Sequence, residues 1–249
     1  VEADINVRPP AQIATDRLQI HLLRQLQRRF LTRPPSRAHL HDYLAPDPAP
    51  VAGPQALLAA AAACEQPQSV MLPIGRITVG LRLISADGQP PSADPASSRP
   101  LMLWHHGAGE HQPELLLARV LAVAPLPLDV LVLRGPGHHG HAAYERQMQQ
   151  ADGMLAMVAG SLAAVTAWQR ALPQRPLLFA GVSLGSMVMQ LHLRQHGRLA
   201  VADPAPRWWA STAMGPDLLQ VFKDGLFTRL FERQNCAAFG DHFLTGLDD

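Results

Sequence analysis

From Leu101 to Ala213 the chain repeats one pattern: a short apolar run followed by a longer stretch of helical periodicity. The runs are Leu101–His106 (LMLWHH), Asp129–Arg134 (DVLVLR), Leu177–Val182 (LLFAGV) and Trp208–Ala213 (WWASTA). The predicted helices between them span roughly Glu114–Ala124, Ala151–Leu172 and Leu184–His196. Continuous apolar strands alternating with helices need cover on both faces. The pattern therefore predicts an α/β fold with an open, mostly parallel sheet and helices on both sides. Ligands of such a sheet bind outside the carboxyl ends of its strands. Before this region, Arg76–Ser85 (RITVGLRLIS) alternates apolar and polar residues like a half-exposed edge strand, and the turn-rich DGQPPSADPASSRP follows.

Residues 15–32 carry Leu18, Leu22, Leu23, Leu26 and Phe30 at helical spacing, with Thr15 or Asp16 as N-cap. A Pro-rich connector from Pro34 to Pro54 and an Ala-rich helix ending near Cys64 come next. Residues 1–75 thus read as an N-terminal helical arm or cap on a core of residues 76–249. At 249 residues and 47% hydrophobic content the chain can bury one substantial core. Its formal charge of +1 and scattered arginines speak against a nucleic-acid partner, and the densest basic stretch, RQLQRRFLTRPPSR, reads as a solvated helix face. No apolar run approaches the roughly 18 residues that a membrane span needs. Cys64 and Cys236 are too few for a disulfide framework and read as free, partly buried thiols in a reducing, cytoplasmic setting. The start VEADINVRPP shows no signal peptide, although one removed ahead of Val1 would leave no trace.

The segment FAGVSLGSMVMQ contains G-x-S-x-G as Gly181-Val182-Ser183-Leu184-Gly185. In a chain with 18 glycines the pattern alone is weak, and an ordinary serine N-cap is the competing reading. Its setting strengthens it, because it follows a strand and opens a helix whose Met187, Val188, Leu191 and Leu193 suit burial against the sheet. A sharp turn there would lift the Ser183 hydroxyl to a helix N-terminus, where backbone N–H groups can hold an oxyanion. Upstream, LMLWHHGAGEH ends a strand in His105-His106-Gly107-Ala108-Gly109. That loop could aim the Ala108 N–H at the same oxyanion as the Leu184 N–H, with His106 and Gly107 at the substrate.

Two motifs in this order, on these strand ends, resemble the α/β-hydrolase superfamily over roughly Arg76–Ala213. In that family the His-Gly strand precedes the elbow by two βα units, as here. More narrowly, LRGPGHHGH, GVSLGS and WWASTAMGPDLLQVFKDGLF resemble a sparsely characterised α/β-hydrolase-domain subfamily, with Ser186 standing where a second glycine is common. The cluster His138, His139 and His141 invites a metal reading but lacks a Glu or Cys partner at ligand spacing, so no metal or cofactor is expected. His138 is instead a candidate for lining the substrate pocket.

An activated serine needs a base and an orienting carboxylate, in the order Ser, acid, His in this fold. His192 and His196 lie on the helix after Ser183, some 13 to 20 Å along it at about 1.5 Å per residue, and cannot reach it. His242 follows no recognisable strand. Asp217, just past the strand Trp208–Ala213, is a candidate acid, and equally a helix N-cap. The resemblance implies two further strands and helices beyond about Gln234, on the order of 60 to 100 residues. The chain is therefore expected to be part of a longer protein whose remainder holds the base and acid. The resemblance implies a serine hydrolase acting on a carboxylic ester or similar small-molecule acyl substrate. A non-catalytic scaffold and an acyltransferase using the same elbow stay open as alternatives.

Overall fold

The computed structural model describes residues 42–45, 47–107, 113–123, 125–138, 151–196 and 204–212. The amphipathic stretch 15–32 lies outside them. In chain order the elements are α1 (Pro54–Ala63), β1 (Gln66–Leu72), β2 (Gly75–Ser85), β3 (Leu101–His105), α2 (Pro113–Val123), β4 (Asp129–Arg134), α3 (Ala151–Ala171), β5 (Leu177–Val182), α4 (Leu184–His196) and β6 (Arg207–Thr212). The strands form one six-stranded open sheet in the order β1-β2-β4-β3-β5-β6. β1 and β2 run antiparallel to each other and β2 runs antiparallel to β4, whereas β4, β3, β5 and β6 are mutually parallel. This is the open, mostly parallel α/β sheet that the strand and helix alternation predicts, consistent with the α/β-hydrolase fold.

The antiparallel end departs from the sequence reading. β2 is no edge strand, since it pairs with β1 on one side and β4 on the other. The edge is β1, QPQSVML, whose two glutamines and proline mask its alternation. Pro67 is tolerated because an edge strand has one unpaired side. Gln68, Val70 and Leu72 face inward, and the buried Gln68 amide accepts a 2.9 Å bond from Trp168 Nε1 on α3. The expected boundary at 75/76 falls inside the β1–β2 hairpin, so residues 66–75 belong to the sheet. α1 begins where Gly53, at φ 56°, turns the chain left-handed and Pro54 supplies a preset first helical residue. Its Leu58 and Ala61 are fully buried against the sheet, and Tyr43 joins the same core. Cys64, just past this helix, is exposed rather than partly buried.

The direction of each crossover decides which face its helix covers. From β3 to β4 the chain steps toward β2, while β4 to β5 and β5 to β6 step the other way. Right-handed crossovers then place α2 on one face and α3 and α4 on the other. The two cores follow that division. Leu117 and Leu121 of α2 pack on Met102, Val130, Val132 and Ala180. The larger core joins α1, α3 and α4 to Leu81, Leu83, Leu101, Leu103, Leu131, Leu133, Leu177 and Phe179, the alternate residues of the same strands. The reversal falls between β3 and β5, whose outgoing loops diverge to opposite faces. A crevice at their carboxyl ends is the site such a switch point creates.

The opposite, amino end of the strands is closed by charge. Asp129, fully buried, accepts from Arg175 Nη2 at 2.5 Å and Arg99 Nε at 2.8 Å, while Arg175 also donates to the carbonyls of Ser92, Asp94 and Arg99. Arg99 in turn bonds Asp87, and that hydrogen bond above all holds the Asp87 carboxyl well below the usual carboxylate range. The network fastens the long loop between β2 and β3 under the sheet. Removing the carboxylate with Asp129→Ala strands a buried guanidinium, and should cost about 3 to 5 kcal/mol in urea unfolding. A depressed Asp87 stabilises the fold above its unfolded pKa, and this is lost as acid drives the pH down through the lower folded value. Asp87→Asn should therefore flatten the loss of stability below about pH 4.

Candidate active site

Cα pairing sets His105 beside Gly181, which brings the ends of β3 and β5 together where the crossovers reverse direction. Ser183 stands directly on that edge, exposed, at φ 53°, and it is the one non-glycine residue with positive φ among the described residues. Its carbonyl accepts the Met187 N–H at 3.2 Å, so Ser183 opens α4. A serine that merely caps a helix adopts extended backbone. The left-handed conformation here departs from that and marks a strained strand-to-helix turn.

Both glycines of the motif are explained by contact. A Cβ on Gly181 would lie 2.5 Å from the Gly185 carbonyl oxygen, across the turn. One on Gly185 would collide with the His105 carbonyl and lie 2.9 Å from the His106 oxygen. The first turn of α4 therefore rests directly on the backbone of β3. Ser186, in the place where a further glycine was noted as common, is buried and donates a 2.7 Å bond to the Gly181 carbonyl, tying helix to strand. Leu184 is buried with its N–H in the first turn, next to Ser183.

The histidines after β3 have defined tautomers. His106 Nδ1 bonds the Gly107 carbonyl at 2.7 Å and so carries the proton, while Nε2 accepts the Gly135 N–H at 3.1 Å. His105 Nδ1 bonds the His106 carbonyl at 2.9 Å, leaving Nε2 to accept from Ser161 Oγ at 2.8 Å. Burial foremost, and then the neighbouring His106 and His138 rings, push the His105 imidazole well below its ordinary pKa. It is therefore neutral, and the lone pairs of both rings are taken. Neither can accept the serine proton. His138 from the loop after β4 packs edge-on to His106 at 4.3 Å, so His106, Gly107 and His138, the residues expected at the substrate, do cluster, with all three buried. His106 thus ties the backbone of Gly107 to that of Gly135.

His192 sits in α4 against Phe179, and its Nδ1 accepts the Trp209 N–H at 3.2 Å, a packing role consistent with its exclusion as base. Ala108, Asp217, His139, His141, Cys236 and His242 lie outside the described residues. Two contributors were missed in the sequence. Ser161 reads there as one small residue in an apolar helix, and Arg134 as the end of a strand. Arg134 pairs with Glu114 at 2.6 Å in the first turn of α2 and with Glu65 at 3.2 Å, so it anchors the far end of the β3–α2 loop. No group of three or more candidate metal ligands occurs among the described residues. Nor is any helix there long and apolar enough to cross a membrane. A cavity of about 670 Å³ lies elsewhere, between residues 45–52 and β1, and includes none of the residues around Ser183.

No protein-family model and no curated protein matches the chain. Among solved structures, one similar protein, from Agrobacterium vitis S4, is assigned as a hydrolase, with 15% identity and a TM-score of 0.41. The match covers 71% of this chain and 61% of that one, so the chain spans less than two thirds of its length. An alpha-beta serine hydrolase homologue from Coxiella burnetii matches at 10% identity and a TM-score of 0.32, over 70% of this chain and 95% of its own. The open, mostly parallel α/β sheet is shown by the chain's own strand order and strand directions.

Gly185→Ala should force α4 away from β3, costing at least about 1 to 3 kcal/mol in thermal or denaturant unfolding, because backbone cannot yield as a side chain can. Ser186→Gly, which removes a buried hydrogen bond and adds backbone freedom, should cost about 1 to 2 kcal/mol in the same measurement.

Proposed function

We propose that the chain is the nucleophile-bearing part of a serine hydrolase that cleaves a carboxylic ester or similar acyl substrate through an acyl-enzyme on Ser183. The observation that carries this is Ser183 itself: exposed, at φ 53°, on the first turn of a helix packed against β3. A strained serine is retained where its hydroxyl must stand clear of the turn and face an incoming carbonyl.

In this reading Ser183 Oγ attacks the acyl carbon, the carbonyl oxygen becomes an oxyanion, and the alcohol leaves as the acyl-enzyme forms; water then returns the carboxylate and frees the serine. The Leu184 N–H, at the positive end of the α4 dipole, faces the oxyanion, and Ala108 supplies the second donor from the β3–α2 loop. His106 shapes that loop by bonding Gly107 and Gly135. The base and its carboxylate follow Ser183 in the chain order of this fold, with Asp217 the candidate acid. The engaged lone pairs of His105 and His106 support assigning the base elsewhere. No metal or cofactor takes part, and the substrate is a small acyl compound rather than nucleic acid. The site operates in the cytoplasm.

A fluorophosphonate serine probe on the full-length protein, base and acid included, tests this. Covalent labelling at Ser183 is expected, and Ser183→Ala should abolish it and lower turnover of short activated esters at least about a thousandfold. No labelling of the wild type would favour a binding scaffold. Labelling with acyl transfer to an added alcohol or thiol in preference to water would favour an acyltransferase.

A further inference from the structure

The nucleophile can be no better placed than the surface it rests on. That surface is the backbone at the end of β3, since a Cβ on Gly185 would meet the His105 carbonyl at once. What holds His105 therefore holds Ser183. The His105 ring is clamped at both nitrogens, by the His106 carbonyl on Nδ1 and the Ser161 hydroxyl on Nε2, and both side chains are fully buried. The carbonyl can only accept, so Nε2 offers its lone pair and Ser161 donates to it. Ser161 projects from the middle of α3, among Leu162, Ala163, Ala164 and Val165 of the main core, where an unbonded hydroxyl would be costly. The loop after β4 closes over the pair: a Cβ on Gly135 would stand 3.3 Å from both His105 Nε2 and Ser161 Oγ.

We propose that Ser161 and His105 are a positioning pair for the site: the Ser161 hydroxyl locks the His105 ring and the end of β3, and so sets Ser183 Oγ in register with the oxyanion donors. This rests on the serine hydrolase reading and adds to it two residues that touch neither substrate nor the moving proton. The neutral, buried imidazole suits the role, because its single lone pair is already committed to Ser161.

The test is the kinetics of fluorophosphonate labelling on the full-length protein, with the maximal rate and the half-saturating probe concentration measured separately. Thr166→Val is the control. Thr166 is buried on the same helix, but its hydroxyl donates to the Leu162 carbonyl at 2.9 Å and does not reach β3. Misplacing a reacting atom by a fraction of an ångström should cut the maximal rate of Ser161→Ala about ten- to hundredfold, with half-saturation changed less than about twofold and Ser161→Thr restored to within about threefold. Thr166→Val should lose stability and keep its rate. Should Ser161→Ala not fold, Ser161→Cys, with its weaker donor, carries the same expectation. An unchanged maximal rate overturns the pair while leaving the hydrolase reading intact, as does an equal loss in Thr166→Val. Wild-type full-length protein that takes no label overturns the hydrolase reading, and the pair's role with it.

Discussion

The first turn of α4 sits on the backbone of β3 with no side chain between them, and much of the site follows from that contact. Only glycine at 185 permits it, and only glycine at 181 lets the chain fold back over the same turn. Ser183, caught between them, takes the left-handed conformation that the surrounding packing imposes. The strain is held by groups on three sides: Ser186 bonded to the Gly181 carbonyl, His105 gripped by Ser161, and α4 packed on β5 and β6 through Met187, Val188 and Leu191. A serine held this way has its backbone fixed by packing before anything approaches its hydroxyl.

The two ends of the parallel strands have different physics. At the amino ends, Asp129, Arg175, Arg99 and Asp87 form a satisfied ion network that clamps a long loop and leaves nothing poised to react. At the carboxyl ends, neutral histidines engage backbone carbonyls and amides, and Arg134 pairs with Glu114 on α2 and Glu65 just before β1. Oriented N–H dipoles in apolar surroundings act more strongly on a nearby negative charge, because their effect grows as water and competing ions are excluded.

Much of this was legible in the residue pattern. Helices α2, α3 and α4 and strands β3 to β6 fall within a residue or so of the positions read from apolar runs, because each is long or continuous enough for its period to dominate. β1 was not legible. Its Pro67 and glutamines look like loop, and only Trp168, a hundred residues along the chain, explains why Gln68 can face inward. β2 was read as an edge for the same reason, since its outer neighbour was invisible. The His-Gly strand end was legible, yet the hydrogen-bond partners of its two histidines were not. A ring nitrogen's partner can come from any distant segment, here the Gly135 N–H for His106 and the Ser161 hydroxyl on α3 for His105.

The sequence by itself determined the class of sheet, the order in which its strands and helices come, and the serine that opens α4. These depend on local periodicity and on two glycines at fixed spacing, which neighbouring residues specify. Tertiary structure decided that the sheet begins with an antiparallel hairpin, that the crossovers reverse between β3 and β5, and that His105 and His106 are spent on holding backbone. Those outcomes depend on which faces meet and which lone pairs are already taken, and such facts exist only once distant segments have packed.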